Sequence, residues 1–192
     1  PFENIHIPPS PGDAGSAVGA AQYLHYVYHK NTKKISNNSQ LIQENVYVGP
    51  SYTNEEIKSF LDSKNIPYES FNDITLLEKT AQLIADGNVV GWYQGKMEWG
   101  PRALGNRSIL ADPRRADMKD ILNAKIKHRE SFRPFAPSIM EEFASEYFEI
   151  DVPSPYMLMV TPVKKPKEIP AVTHVDGTGR LQTVSRNSNP LY

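Results

Sequence analysis

The sequence predicts an α/β (α+β) fold, a mixed sheet of short strands with flanking helices, and three features carry that expectation. Short apolar runs with strand character alternate with stretches whose apolar residues recur at helical spacing. Hydrophobic residues make up 39% and charged residues 22% of the 192-residue chain, enough apolar material for a packed core and outside the disordered class. Clusters of glycine, proline and asparagine separate the runs, as the connections of a layered fold require.

The elements follow in order. Residues 1–34 read as the end of another unit: extended Ile5-His6-Ile7, a Pro8-Pro9-Ser10-Pro11 kink, the turn Gly12-Asp13-Ala14-Gly15, then a helix from Ser16 towards Tyr28. Small residues at Ala17, Gly19, Ala20 and Ala21 let that helix approach other backbone closely, although Gly19 weakens it. Residues 31–39 are polar, lack apolar periodicity and are assigned as a linker. Val46-Tyr47-Val48 is a strand candidate, 54–64 a helix and 68–71 a second strand. A helix over 74–86 sets Ile74, Leu77, Ala81 and Ile84 on one face. The glycine-bounded run 88–93 is a strand, 108–111 another, 117–126 a helix, 134–139 an extended piece, 141–148 a short helix and 156–163 a strand. Prolines 153, 155, 162, 166 and 170 make the last third irregular.

Composition excludes several function classes. Twenty-one Lys and Arg against 22 Asp and Glu leave a net charge of −1, so no global field draws nucleic acid or acidic lipid, and any anion binding must be local. The absence of cysteine removes disulfide frameworks, thiolate metal sites and thiol nucleophiles and suits a reducing compartment, so the cytoplasm is the expected location. No apolar run approaches the roughly 20 residues of a membrane span. The chain opens on Pro1 with neither Met nor a charged leader, and is expected to be part of a longer protein.

The densest chemical signal is Gly95-Lys96-Met97-Glu98-Trp99-Gly100-Pro101-Arg102-Ala103-Leu104-Gly105-Asn106-Arg107-Ser108, which joins two strand candidates. Its glycines let backbone come close to a ligand, and Lys96, Arg102 and Arg107 repel one another unless an anion joins them. From Lys96 to Arg133 ten cations face five acids, a local surplus that suits phosphate or carboxylate. Arg114, Arg115, Lys119, Lys125 and Lys127 lie on or beside a helix and read as a solvated face. Arg133, set in Ser131-Phe132-Arg133-Pro134-Phe135-Ala136-Pro137, is a second candidate, with stacking on Phe132 or Phe135 as its structural alternative. The turn containing His174, Asp176 and Arg180 is a third, equally readable as an ordinary hairpin. His25 and His29 share a helix face but lack a third ligand, so no metal is expected there.

At Pro8-Ser10-Pro11-Gly12-Asp13-Ala14-Gly15, Gly95 to Ser108, Phe132 to Pro137 and His174 to Val184 the chain resembles the carbamoyltransferase family that includes nodulation-factor and antibiotic O-carbamoyltransferases. The resemblance implies a two-part enzyme: residues 1–38 would be the tail of an acetate-kinase/actin-type domain plus linker, and 39–192 a YrdC-like domain, incomplete at its end. Such enzymes form carbamoyl-adenylate from carbamoyl phosphate and ATP and pass the carbamoyl group to a hydroxyl-bearing small-molecule acceptor. By that likeness Lys96, Arg102, Arg107, Ser108 and Arg133 bind substrate phosphates, and His174 and Arg180 line the same cleft. Asp13 would give a carboxylate to a divalent metal, iron or magnesium, whose histidine ligands lie outside this sequence, and this piece alone would not complete transfer. The alternative is a YrdC-like module that binds nucleotide or structured RNA without carbamoyl transfer; the five carboxylates between Glu141 and Asp151 oppose its RNA form.

Overall fold

A computed structural model of the chain describes residues 7–31 and 46–192. The assigned linker lies almost entirely outside them, as does the boundary between 38 and 39.

Helix α1 (Asp13–Gln22) starts after extended Gly12, with Asp13 in the first turn where a carboxylate suits the unpaired N–H groups. It runs on into a π-helical turn, Tyr23–Tyr28, and buries no side chain among the described residues. Helix α2 (Asn54–Ser63) is fixed by a capping box: Glu56 N donates to Thr53 Oγ1 (3.2 Å) and Thr53 N donates to the Glu56 carboxylate (2.7 Å). Helix α3 (Asp73–Ala85) is capped by Asn72, whose Oδ1 accepts from Thr75 N at 2.9 Å. Sequence spacing put Ile74, Leu77, Ala81 and Ile84 on one face, yet Ile74 is 71% exposed and the one buried residue of α3 is Thr80. The hydroxyl of Thr80 satisfies itself on Leu76 O (2.7 Å), so this polar residue can be buried without cost to its hydrogen bonding.

Strand β1 (Val90–Tyr93) pairs antiparallel with β2 (Arg107–Leu110), with Val90 opposite Leu110 and Tyr93 opposite Arg107. Helix α4 (Met118–Ile121) continues as a π-helical turn, Leu122–Lys127, that ends at left-handed His128. Strand β3 (Ser138–Met140) is followed by a 3-10 turn, Glu141–Phe143, and helix α5 (Ala144–Tyr147). Strand β4 (Thr161–Pro162) pairs antiparallel with β5 (Thr178–Gly179), and β3 pairs in parallel with β6 (Gln182–Val184). Among the described residues the result is three two-stranded sheets where one mixed sheet was expected. Three expected strands change. Residues 46–50 turn tightly, with Val48 N donating to Val46 O (3.0 Å), and bond to the chain at 97–99 without forming a ladder, and 68–71 merely connects α2 to α3. Of 156–163 only Thr161–Pro162 forms a strand among the described residues, with Val163 in an isolated antiparallel bridge to Phe148.

Three apolar clusters hold these pieces. Ala144, Phe148, Val163 and Leu181 form one, Met118, Leu122 and Ala171 another. The third, Val46, Leu104 and Met157, takes its central residue from the loop between β1 and β2, so that loop is anchored by packing as well as by its strands.

Candidate functional site: a pinned arginine loop

The loop leaving β1 and returning at β2 carries Lys96, Arg102 and Arg107. Gln94 N donates to Asn106 O (3.0 Å), extending the hairpin into the loop base. Gly100 and Gly105 both sit at φ 108°, a region closed to ordinary side chains. One flank is tied to residues 46–50: Trp99 N donates to Val46 O (2.7 Å), Met97 N to Pro50 O (2.9 Å) and Gly49 N to Met97 O (2.9 Å). A Cβ on Gly100 would come within 3.4 Å of the buried Ser10 hydroxyl, so the Pro9-Ser10 kink packs directly on the arginine loop.

The interior is organised by Glu98, whose side chain has no solvent exposure. Its Oε1 accepts from three backbone amides, Leu104 N (2.8 Å), Asn106 N (2.7 Å) and Arg107 N (3.0 Å). Successive N–H groups curved round an anion resemble the nests that cradle phosphate. Here the chain supplies its own carboxylate. The amides of Leu104, Asn106 and Arg107, whose glycine-rich context suggested close approach to a ligand, close on Glu98 instead.

A carboxamide network completes the frame. Leu104 O accepts from Tyr47 OH (2.6 Å) and from Gln182 Nε2 (2.9 Å). Gln94 Nε2 donates to Asn106 Oδ1 (3.2 Å) and Asn189 Oδ1 (3.1 Å), and Asn106 Nδ2 donates to Lys96 O (2.8 Å). Burial pushes the Tyr47 phenol above its ordinary value, opposed by a hydrogen bond from Asn189 and reinforced by the Glu98 charge. The hydroxyl of Ser108 accepts from Gly105 N (3.1 Å), which gives it a place in the turn. Glu98, Asn106, Gln182 and Asn189 escaped the sequence reading; a lone acid between Lys96 and Arg102 was the one available signal.

The cations divide into two kinds. Arg107 Nε lies 4.0 Å from Glu98 Oε2, and Arg133 Nε lies 2.9 Å from Glu130 Oε2, both pairs involving a half-exposed arginine. Arg102 and Arg180, by contrast, have no carboxylate partner among the described residues. Burial, with a smaller contribution from the Arg102 charge, pushes the Arg180 guanidinium below the ordinary arginine value. Arg180 is placed by the His174 turn, which is closed on itself: His174 N donates to Thr178 O (2.8 Å), the Thr178 hydroxyl donates to Asp176 Oδ1 (2.7 Å), and His174 Nδ1 lies 3.1 Å from Thr178 Oγ1. The hydrogen bonds from Thr178 hold the Asp176 carboxyl below its usual range.

Around Arg133 the organiser is Asn123, fully buried, whose Nδ2 donates to Arg133 O (2.9 Å) and Ser131 O (3.2 Å). The guanidinium over the Phe135 ring belongs to Arg129 (4.7 Å) and not to Arg133, so the stacking alternative passes to a neighbour. Arg114 grips Asp112 with two 2.8 Å bonds and Arg115 grips Asp117 at 3.1 and 2.8 Å, local pairs in keeping with a solvated face. Asp13 is exposed at the start of α1, and no three His, Cys, Asp or Glu side chains come together among the described residues. No described helix is long and apolar enough to cross a membrane.

Fold and loop together define a mixed α/β domain that presents Arg102, without an acid partner among the described residues, on a pinned glycine-rich arch. Residues 81–192 match the family model described as Carbamoyltransferase C-terminus, and the chain belongs to that family. Every candidate residue except Asp13 falls inside the match. Over its full length the chain is 46% identical to Nodulation protein NolNO of Sinorhizobium fredii, 43% to the uncharacterized protein sll1178 of Synechocystis and 38% to the uncharacterized protein MJ1058 of Methanocaldococcus jannaschii. It spans 28%, 35% and 32% of those proteins, about a third of their length.

Proposed function

We propose that this chain is the carboxy-terminal part of a cytoplasmic O-carbamoyltransferase, in which it binds carbamoyl phosphate and ATP for the formation of carbamoyl-adenylate. The observation that carries the reading is Arg102, without a carboxylate partner among the described residues, on a loop where Glu98 holds the amides of Leu104, Asn106 and Arg107. Residues 39–192 act as the YrdC-like part and 1–38 as the end of an actin-type domain, in keeping with relatives about three times as long.

In balance, carbamoyl phosphate, water and ATP give carbamoyl-adenylate, phosphate and pyrophosphate. The acceptor oxygen then bonds to the carbamoyl carbon, AMP leaves, and the hydroxyl proton passes to solvent or a base. Charge builds on phosphate oxygens in the first stage, so fixed cations lower its barrier without any nucleophile from the protein. Arg102 and Arg180 hold the transferring phosphate, and Lys96 adds a point charge from the same loop. Arg107 and Arg133 join by exchanging their carboxylate partners for ligand oxygens, while Ser108 and His174 shape the two turns that border the cleft. Asp13 would offer one carboxylate to a divalent metal whose other ligands come from the rest of the longer protein. The test is pyrophosphate release from ATP by the full-length protein. Release that depends on carbamoyl phosphate supports the reading, and none in its presence rejects it.

A further inference from the structure

We propose that Glu98 is a positioning residue: its carboxylate serves as the internal anion that sets the arch 99–104 and so fixes where Arg102 stands. This rests on the anion site proposed above. The geometry is that of a short span fixed at both ends. At one end Trp99 N is bonded to Val46 O (2.7 Å), next to Glu98 itself. At the other, Leu104 is held by its N–H on Glu98 (2.8 Å), by its carbonyl under Tyr47 and Gln182, and by its side chain in an apolar cluster. Only residues 100–103 are free to arch, and Arg102 is the one charged side chain among them.

A charge is needed there, and not only an acceptor. Three amides, those of Leu104 and Asn106 buried, share one oxygen, and hydrogen bonds to an ionised acceptor are markedly stronger than neutral ones. The second oxygen, Oε2, has no hydrogen-bond partner among the described residues and faces the Arg107 guanidinium at 4.0 Å. A glutamine would retain an acceptor for the amides but turn an NH2 towards that guanidinium, setting donor against donor. Glu98→Gln is therefore a near-isosteric change that weakens the clamp, and Glu98→Asp, one methylene shorter, draws the carboxylate back from the same amides.

The experiment uses the full-length protein and two readouts. Arg102 is modified by phenylglyoxal with and without inorganic phosphate, and pyrophosphate release is measured for Glu98→Gln, Arg102→Ala and the double variant. We expect phosphate to protect Arg102 in the wild type, with about tenfold more phosphate needed in Glu98→Gln, and kcat/KM to fall by about tenfold. Because Glu98 acts through Arg102, the double variant should be no slower than Arg102→Ala alone, whereas a purely structural loss would multiply with it. Glu98→Asp takes the same measurements if the glutamine variant does not fold. Unchanged phosphate protection in the folded variants, multiplicative losses, or an Arg102 that phosphate never protects in the wild type would each overturn the role. A wild type that protects Arg102 but releases no pyrophosphate removes the carbamoyl-adenylate reading and leaves Glu98's role decided by protection alone.

Discussion

Arg102 differs from its neighbours in what surrounds it and not in its chemistry. Arg107 and Arg133 each have a carboxylate within 4.0 Å, whereas Arg102 has none among the described residues. In the full-length protein, Arg102→Ala should cut pyrophosphate release by roughly ten to a thousandfold, the scale of losing one preorganised charge at a transferring group. Arg102→Lys should recover part of that, since an ammonium lacks the planar fork. Arg133→Ala, which removes an arginine already paired with Glu130, should cost less than Arg102→Ala in the same assay, and an equal loss would place Arg133 at the heart of the site. Arg102 and Arg107 were legible from the crowding of charge in one loop. Glu98 was not, because an acid among cations reads as a surface partner until its burial is known.

The arch and the two turns around it are elements whose shape depends on backbone that few residues can adopt. Gly105 sits at φ 108°, and a Cβ there would come within 3.3 Å of Asn189 Nδ2. Gly105→Ala should lower the unfolding free energy by roughly 1–3 kcal/mol in chemical denaturation, with pyrophosphate release falling in the variant that remains folded. At α2, Thr53→Ala removes one half of a capping box and should cost about 1 kcal/mol. Between β2 and α4, hydrogen bonds from Arg114 hold the Asp112 carboxyl below its usual range. Lowered folded-state affinity for protons means that this contribution is complete above about pH 4 and is lost as pH falls through the depressed value. Asp112→Asn should therefore flatten the acid side of a stability–pH profile measured by thermal melting and leave its neutral side lower but parallel. The helices at 54 and 73 were readable because apolar spacing is local, whereas their caps at Thr53 and Asn72 appear only in the structure. The strand at 68–71 was misread because a strand needs a neighbour, which spacing does not reveal.

For the whole molecule, the proposed division of labour predicts that this chain alone binds ATP or carbamoyl phosphate weakly and carbamoylates no hydroxyl, while the full-length protein does so. Isothermal titration and an acceptor assay on both would check this, and robust transfer by the chain alone would end the two-part account. The sequence by itself determined what depends on near neighbours: the β1–β2 hairpin with its glycine-rich connection, the local surplus of cations and, through the long Gly95 to Ser108 string, the family. Tertiary structure decided which cations keep an acid. It also decided that the loop amides close on Glu98, that Ser10 packs on Gly100, and that β3 pairs with β6 from the far end of the chain. Those outcomes depend on burial and on groups distant in sequence meeting at hydrogen-bond range, and neither composition nor spacing encodes a distance between residues such as Glu98, Arg102 and Arg180.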